Sequence, residues 1–113
     1  MKRYIVASLL VLLGGAAAAQ SSRGQFTLSG AGTASCGQYI AASSNEKLTG
    51  LYVSWAQGFL SGMNMGYALS AGREFIPLPD NESIKAYLDK YCRDNPLKQP
   101  LDGTVALYRE LRN

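Results

Sequence analysis

Between Ile84 and Cys92 the apolar side chains recur at i, i+3, i+4, i+7 and i+8: Ile84, Tyr87, Leu88, Tyr91 and Cys92. That period puts all five on one face of an α-helix. Asp80 or Asn81 supplies the N-cap, and Asp94-Asn95-Pro96 ends the segment. A further helical pattern, "LDGTVALYREL", shows Leu101, Val105, Tyr108 and Leu111 on its apolar face. Upstream, Cys36, Tyr39 and Ile40 share one side of a short helix whose N-cap is Ser35. Between these lies a longer helix. Ser43 with Glu46 three places on forms a capping box, and Gly72 offers the left-handed residue that closes the far end. "EFIPLPDNES" then reads as a Pro-bearing connector. The pattern predicts an all-α fold, a small single domain of about four helices over residues 36–113.

The chain ahead of this domain divides in two. "MKRYIVASLLVLLGGAAAAQ" has a basic start at Lys2 and Arg3 and an apolar core from Tyr4 to Leu13, too short to span a bilayer. Ala17, Ala18 and Ala19 are the small residues a signal peptidase reads, so residues 1–19 are expected to be a cleaved export signal. Residues 20–35, rich in Ser, Gly and Thr, are expected to form a flexible arm. The expected location is the periplasm, or outside the cell.

Export changes the reading of the two cysteines. In an oxidising compartment an even pair predicts a disulfide, here Cys36–Cys92, and the chain has neither a CxxC pair nor any histidine that would favour redox or metal chemistry. Closing so long a loop stabilises a domain by about 4 kcal/mol on the chain-entropy account.

The long helix carries the least ordinary pattern. No charge falls between Lys47 and Arg73, and small residues recur at every fourth place: Gly50, Ser54, Gly58, Gly62, Gly66 and Ser70. The adjacent four-step row, Leu51, Trp55, Phe59, Met63 and Tyr67, is large throughout. Groove beside ridge is the surface used by helices that pack closely, and the primary expectation is a groove at Gly50, Ser54, Gly58, Gly62 and Gly66 filled by the third or fourth helix. A second reading makes this a marginal helix, each glycine disfavouring it by about 1 kcal/mol, which opens and offers Trp55, Phe59, Met63 and Tyr67 to a partner. A membrane span is the third. It is opposed by Gln57, Asn64 and three serines, which would need partners in hydrocarbon, so the mature chain is expected to have no stable span.

Charge and chemistry narrow the function classes. Of eleven basic and eight acidic residues, Lys2 and Arg3 leave with the signal, so the mature side chains sum to 9 − 8 = +1. No basic cluster remains to follow a phosphate backbone, and no nucleic-acid partner is expected. Without histidine, a GxSxG elbow, a phosphate loop or a dinucleotide fingerprint, neither catalysis nor a metal or other cofactor is expected. The acidic neighbours have structural explanations: Asp80 as a helix cap, Glu82 as a first-turn charge facing the helix dipole, and Asp89 as an i, i+4 partner of Arg93.

The tail of the third helix, "YCRDNPLKQPL", resembles the closing motif of the HdeA/HdeB family of small periplasmic helical proteins held by one disulfide, several of which are acid-stress chaperones. "SCGQYI" resembles that family's opening cysteine, and "WAQGFLSGMN" is similar to a stretch in related exported two-cysteine proteins; some helical immunity proteins have a comparable layout. Cys36 and Cys92 are the residues that carry over one by one, while the glycine row and the Ser/Gly arm depart from the acid chaperones. The resemblance implies a stress-response chaperone of the envelope that binds unfolded clients through an exposed apolar helix surface. The alternative is a constitutive protein–protein binding module, immunity-like or serving envelope assembly. A homodimer through an exposed helix face suits either.

Overall fold

The computed structural model describes residues 27–113; the expected signal (1–19) and residues 20–26 of the expected arm lie outside the described residues. Four helices follow one another: α1 (Cys36–Ala41), α2 (Glu46–Ala71), α3 (Asn81–Asp94) and α4 (Pro100–Arg112), preceded by a single 3-10 turn at Ala31–Thr33. No strand occurs among the described residues. The all-α, four-helix expectation is met.

Local chemistry explains the boundaries. Ser35 and Gln38 form a reciprocal capping box at the start of α1, the Ser35 hydroxyl accepting from the Gln38 N–H and the Gln38 side chain from the Ser35 N–H. Helix α2 starts two residues later than the Ser43–Glu46 box implies. The chain after α1 is held in turns by Ser43 N–H to Ile40 and Asn45 N–H to Ala42, and Asn45 becomes the cap, its side chain accepting from the Leu48 N–H at 3.2 Å. At the far end Gly72 takes φ +61°, the left-handed conformation anticipated for it. Asp80 caps α3 by accepting from the Ser83 N–H at 2.8 Å. Pro100 opens α4, and Asp102 reaches back to the Gln99 N–H at 2.9 Å.

The core is built around the Cys36–Cys92 disulfide, which joins α1 to α3 with Cα atoms 4.9 Å apart and both cysteines fully buried. Leu60, Ile84 and Leu88 are also fully buried, each worth about 2 kcal/mol in apolar area removed from water. Tyr39, Val53, Ala56, Leu107 and Tyr108 complete this cluster. Ile40, expected on the inner face of α1, stays outside it at 37% exposure.

Two helix faces differ from the sequence expectation. On α4 the inner face is Pro100, Gly103, Thr104, Leu107 and Tyr108; Leu101, Val105 and Leu111 are only half-buried. The phase turns because Gly103 lets α4 lie against α3: a Cβ there would stand 2.8 Å from Tyr91 Cδ1 and 3.0 Å from Leu88 Cδ2. Thr104 is tolerated in the core because its hydroxyl donates to the Pro100 carbonyl at 2.8 Å.

On α2 the inward residues are Thr49, Val53, Ala56, Leu60 and Asn64, not the small row. Gly50, Ser54, Gly58, Gly62 and Gly66 are all exposed, and a Cβ added at any of the four glycines would meet nothing within 4 Å. The expected packing groove is therefore corrected: neither the third nor the fourth helix fills it. At 100° per residue the buried set and the small row lie on different sides of the helix, and the side that takes the core carries Val53, Ala56 and Leu60, with Thr49 and Asn64 admitted because their polar groups are hydrogen-bonded. Among the described residues no helix is long and apolar enough to cross a membrane.

Candidate functional site

The ridge of large residues is brought together as a continuous band along α2. Trp55 and Phe59, one turn apart, stack with ring centroids 5.0 Å apart and planes inclined by 13°. Met63 follows, its carbonyl accepting a long bond of 3.5 Å from the Tyr108 hydroxyl. Tyr67 sits edge-on to Tyr108, with centroids 6.4 Å apart, and carries the Arg112 guanidinium 3.9 Å above its ring. All four residues are half-buried. Trp55, Met63 and Tyr67 lean on the core, whereas Phe59 makes its aromatic contact through Trp55 alone. Leu51, at the head of the ridge, is 61% exposed.

Trp55 is also covered from outside. The 3-10 turn of residues 31–33 lies against α2 and α4, and the Trp55 indole N–H donates to the Ser29 carbonyl at 2.9 Å. Gly30 takes φ +102° and ψ −171°, a region open in practice only to glycine. A Cβ at Gly30 would lie 2.6 Å from the indole nitrogen, and one at Gly32 would overlap the six-membered ring. Residues 29–33, expected to belong to a flexible arm, instead form a defined cover on the ridge. Sequence reading missed this because Ser/Gly-rich composition describes loops and tight cradles alike; the G-x-G spacing at Gly30 and Gly32 was the available signal.

The uncharged side of α2 continues outward. Leu51 (61%), Met65 (56%) and Leu69 (77%) are exposed on α2 and share its outer side with Gly58 and Gly62; Phe75 (62%) follows just beyond Gly72. Asn64, which counted against a membrane span, has a structural task. Its amide donates to the Ile76 carbonyl at 2.9 Å and accepts from the Ile76 N–H at 3.0 Å, clasping the Pro-bearing connector to α2 as a peptide group would.

The acidic residues are distributed rather than gathered. Asp89 pairs with Lys85 at 2.7 Å, not with Arg93 as its spacing implied, and accepts the Tyr39 hydroxyl at 2.7 Å. Burial pushes the Tyr39 hydroxyl well above the usual tyrosine range, and the hydrogen bond to Asp89 and that carboxylate's charge push it further. Asp94 is held below the ordinary carboxylate range by its bond to Lys90 and the charge of that ammonium. Asp80 is lowered by the Ser83 backbone N–H and hydroxyl. Burial raises Tyr87, and the Glu110 carboxylate adds to it. Among the described residues no group of His, Cys, Asp and Glu is placed to hold a metal ion. A cleft of about 340 Å³ opens between the N-terminal ends of α2 and α3. It is lined by Gly50 and Ser54 with Glu46, Glu82 and Lys85.

No protein-family model, no curated protein and no solved structure matches this chain.

Proposed function

We propose that this is a protein-binding factor of the cell envelope, a conditional chaperone that holds unfolded clients on the apolar surface of α2. The observation that carries the reading is the 25-residue uncharged run between Lys47 and Arg73, folded as one helix with Leu51, Met65 and Leu69 exposed and the Trp55–Phe59 stack at its side. An uncharged helix side that leaves several large apolar side chains in water is the kind of surface through which proteins associate. A buried disulfide belongs to oxidising compartments, which fits an envelope protein delivered by an export signal. Acid supplies the condition. Protonating eight carboxylates takes the mature side chains from +1 to +9, and self-repulsion then loosens a small core that the disulfide keeps from full unfolding.

A second reading, a constitutive binding module, is favoured by one observation. Among the described residues no buried side-chain polar atom lacks a hydrogen-bond partner, so the fold at neutral pH carries no unpaired polar group in its core that would predispose it to open. Light scattering of an envelope-protein extract brought to about pH 2.5, well under reference carboxylate values, separates the two. Suppressed scattering that disappears at neutral pH is expected of the chaperone. Undiminished scattering, together with an unchanged circular dichroism spectrum in acid, refutes it in favour of the module.

A further inference from the structure

We infer that residues 29–33 are an intramolecular plug that occupies the Trp55–Phe59 end of the client surface and must leave before a client binds there. The inference rests on the reading of the ridge as a client surface and adds its regulation.

The fit between plug and platform is specific. The Trp55 face receives bare backbone: Gly30 lies against the indole nitrogen edge, Gly32 against the six-membered ring, and neither position has room for a methyl group. The indole N–H, which would otherwise need water or a client carbonyl, is taken by Ser29. The plug thus imitates what an extended client would offer, a carbonyl oxygen and a flat peptide surface on an aromatic face.

The hold on it is light. The internal bonds of the turn are Thr33 N–H to Gly30 at 3.1 Å, the Thr33 hydroxyl to Gly30 at 2.8 Å and Ala34 N–H to Ala31 at 3.1 Å. Within the turn only Gly32 is buried, and no large side chain anchors it. Segments with so little buried apolar area open at the low end of a protein's stability range.

Its root is firm. Ala34 is extended, Ser35 caps α1, and Cys36 is held by the disulfide and by its N–H to the Lys98 carbonyl at 2.8 Å. A plug whose residues lie three to seven positions before Cys36 returns at a high effective concentration, so a client must compete with it rather than find the face vacant. Lifting it frees the indole N–H and one face of the stack without disturbing the buried core of Leu60, Ile84 and Leu88.

Trp55 is the chain's one tryptophan, so its fluorescence reports this site alone. The test compares the oxidised, exported chain with its Gly32→Val variant at neutral pH by circular dichroism, tryptophan emission, acrylamide quenching and light scattering of a chemically unfolded client. The expected result is unchanged helicity, red-shifted emission, stronger quenching, and suppression of client aggregation without acid. A free peptide of residues 27–35, TLSGAGTAS, reverses the quenching and the suppression, whereas the same peptide with valine for its second glycine does not. Unchanged emission and quenching in the variant overturn the plug. Stronger quenching without added suppression, where the unmodified chain suppresses aggregation in acid, overturns the gating while leaving client binding on another surface. Absence of suppression by both chains at every pH removes the client-binding reading, and the gate falls with it even though the turn is shown to lift. If Gly32→Val loses helicity, Gly30→Ala, a single methyl against the indole nitrogen, takes its place with the same expected and overturning results.

Discussion

Replacing Gly58, Gly62 and Gly66 together with alanine tests the orientation of α2 directly. A glycine inside a helix is less favourable than alanine by about 1 kcal/mol, because its backbone loses more freedom on folding and is less shielded from water. Whether that gain is realised depends on what the new methyl meets. At all three positions it meets nothing within 4 Å, so the structure adds no opposing term. The three sites are one turn apart, near enough to couple, so simple addition sets an upper figure of about 3 kcal/mol for the triple variant. For a domain of this size that raises the urea midpoint by about 2 M and the thermal midpoint by about 10–20 °C. The assay is urea unfolding followed by circular dichroism at several protein concentrations, with sedimentation to establish the state of association. A loss of stability, or no gain, refutes the solvent-facing assignment. If the wild-type midpoint rises with protein concentration and the triple variant loses that dependence, a second copy occupies the row, and the small-xxx-small spacing is an intermolecular packing surface after all.

The remaining expectations draw on other contacts. Gly103→Ala, the same substitution in α4, is expected to destabilise by about 1–2 kcal/mol despite its helix propensity, since the methyl overpacks against Tyr91 and Leu88; a urea midpoint at or above wild type would refute the close approach. Asn64→Ala removes both hydrogen bonds to Ile76 and is expected to cost about 2–3 kcal/mol, with faster amide exchange at Ile76 as the specific readout; an unchanged exchange rate would deny the clasp. Reducing Cys36–Cys92 is expected to cost about 4 kcal/mol in an unfolding titration, and a loss under 1 kcal/mol would show that the helices alone hold the core. In acid, Asp80 and Asp94 have folded values below their unfolded ones, so their contribution is present above the ordinary carboxylate range and lost as pH falls through the lowered values. Tyr39 is raised, so its contribution is present below the ordinary tyrosine value and lost as pH rises beyond it. Tyr39→Phe is expected to flatten the alkaline limb of the stability profile, and Asp94→Asn the acid one; parallel limbs in wild type and variant would remove the assignment.

Much of the architecture follows from local chemistry that a sequence displays directly. The period of Ile84, Leu88 and Cys92 depends on helix geometry alone, and the Ser35, Asp80 and Gly72 boundaries depend on groups within three or four residues of each other. The pairing of the two cysteines follows from their number and the expected compartment. Tertiary packing decided what local pattern leaves open. A row of small residues states that a close approach is possible, not that a neighbour arrives; Gly58, Gly62 and Gly66 face outward, while a lone glycine in α4 with no periodicity to announce it makes the tight contact on α3. Asp89 had two cations at helical spacing, and the one that pairs is Lys85, on the side that also meets Tyr39 from α1. The same holds for the candidate site. Trp55, Phe59, Met63 and Tyr67 were legible as one ridge because they share a helix. The segment that covers Trp55 comes from 26 residues earlier in the chain, and only the folded arrangement brings its backbone carbonyl to the indole.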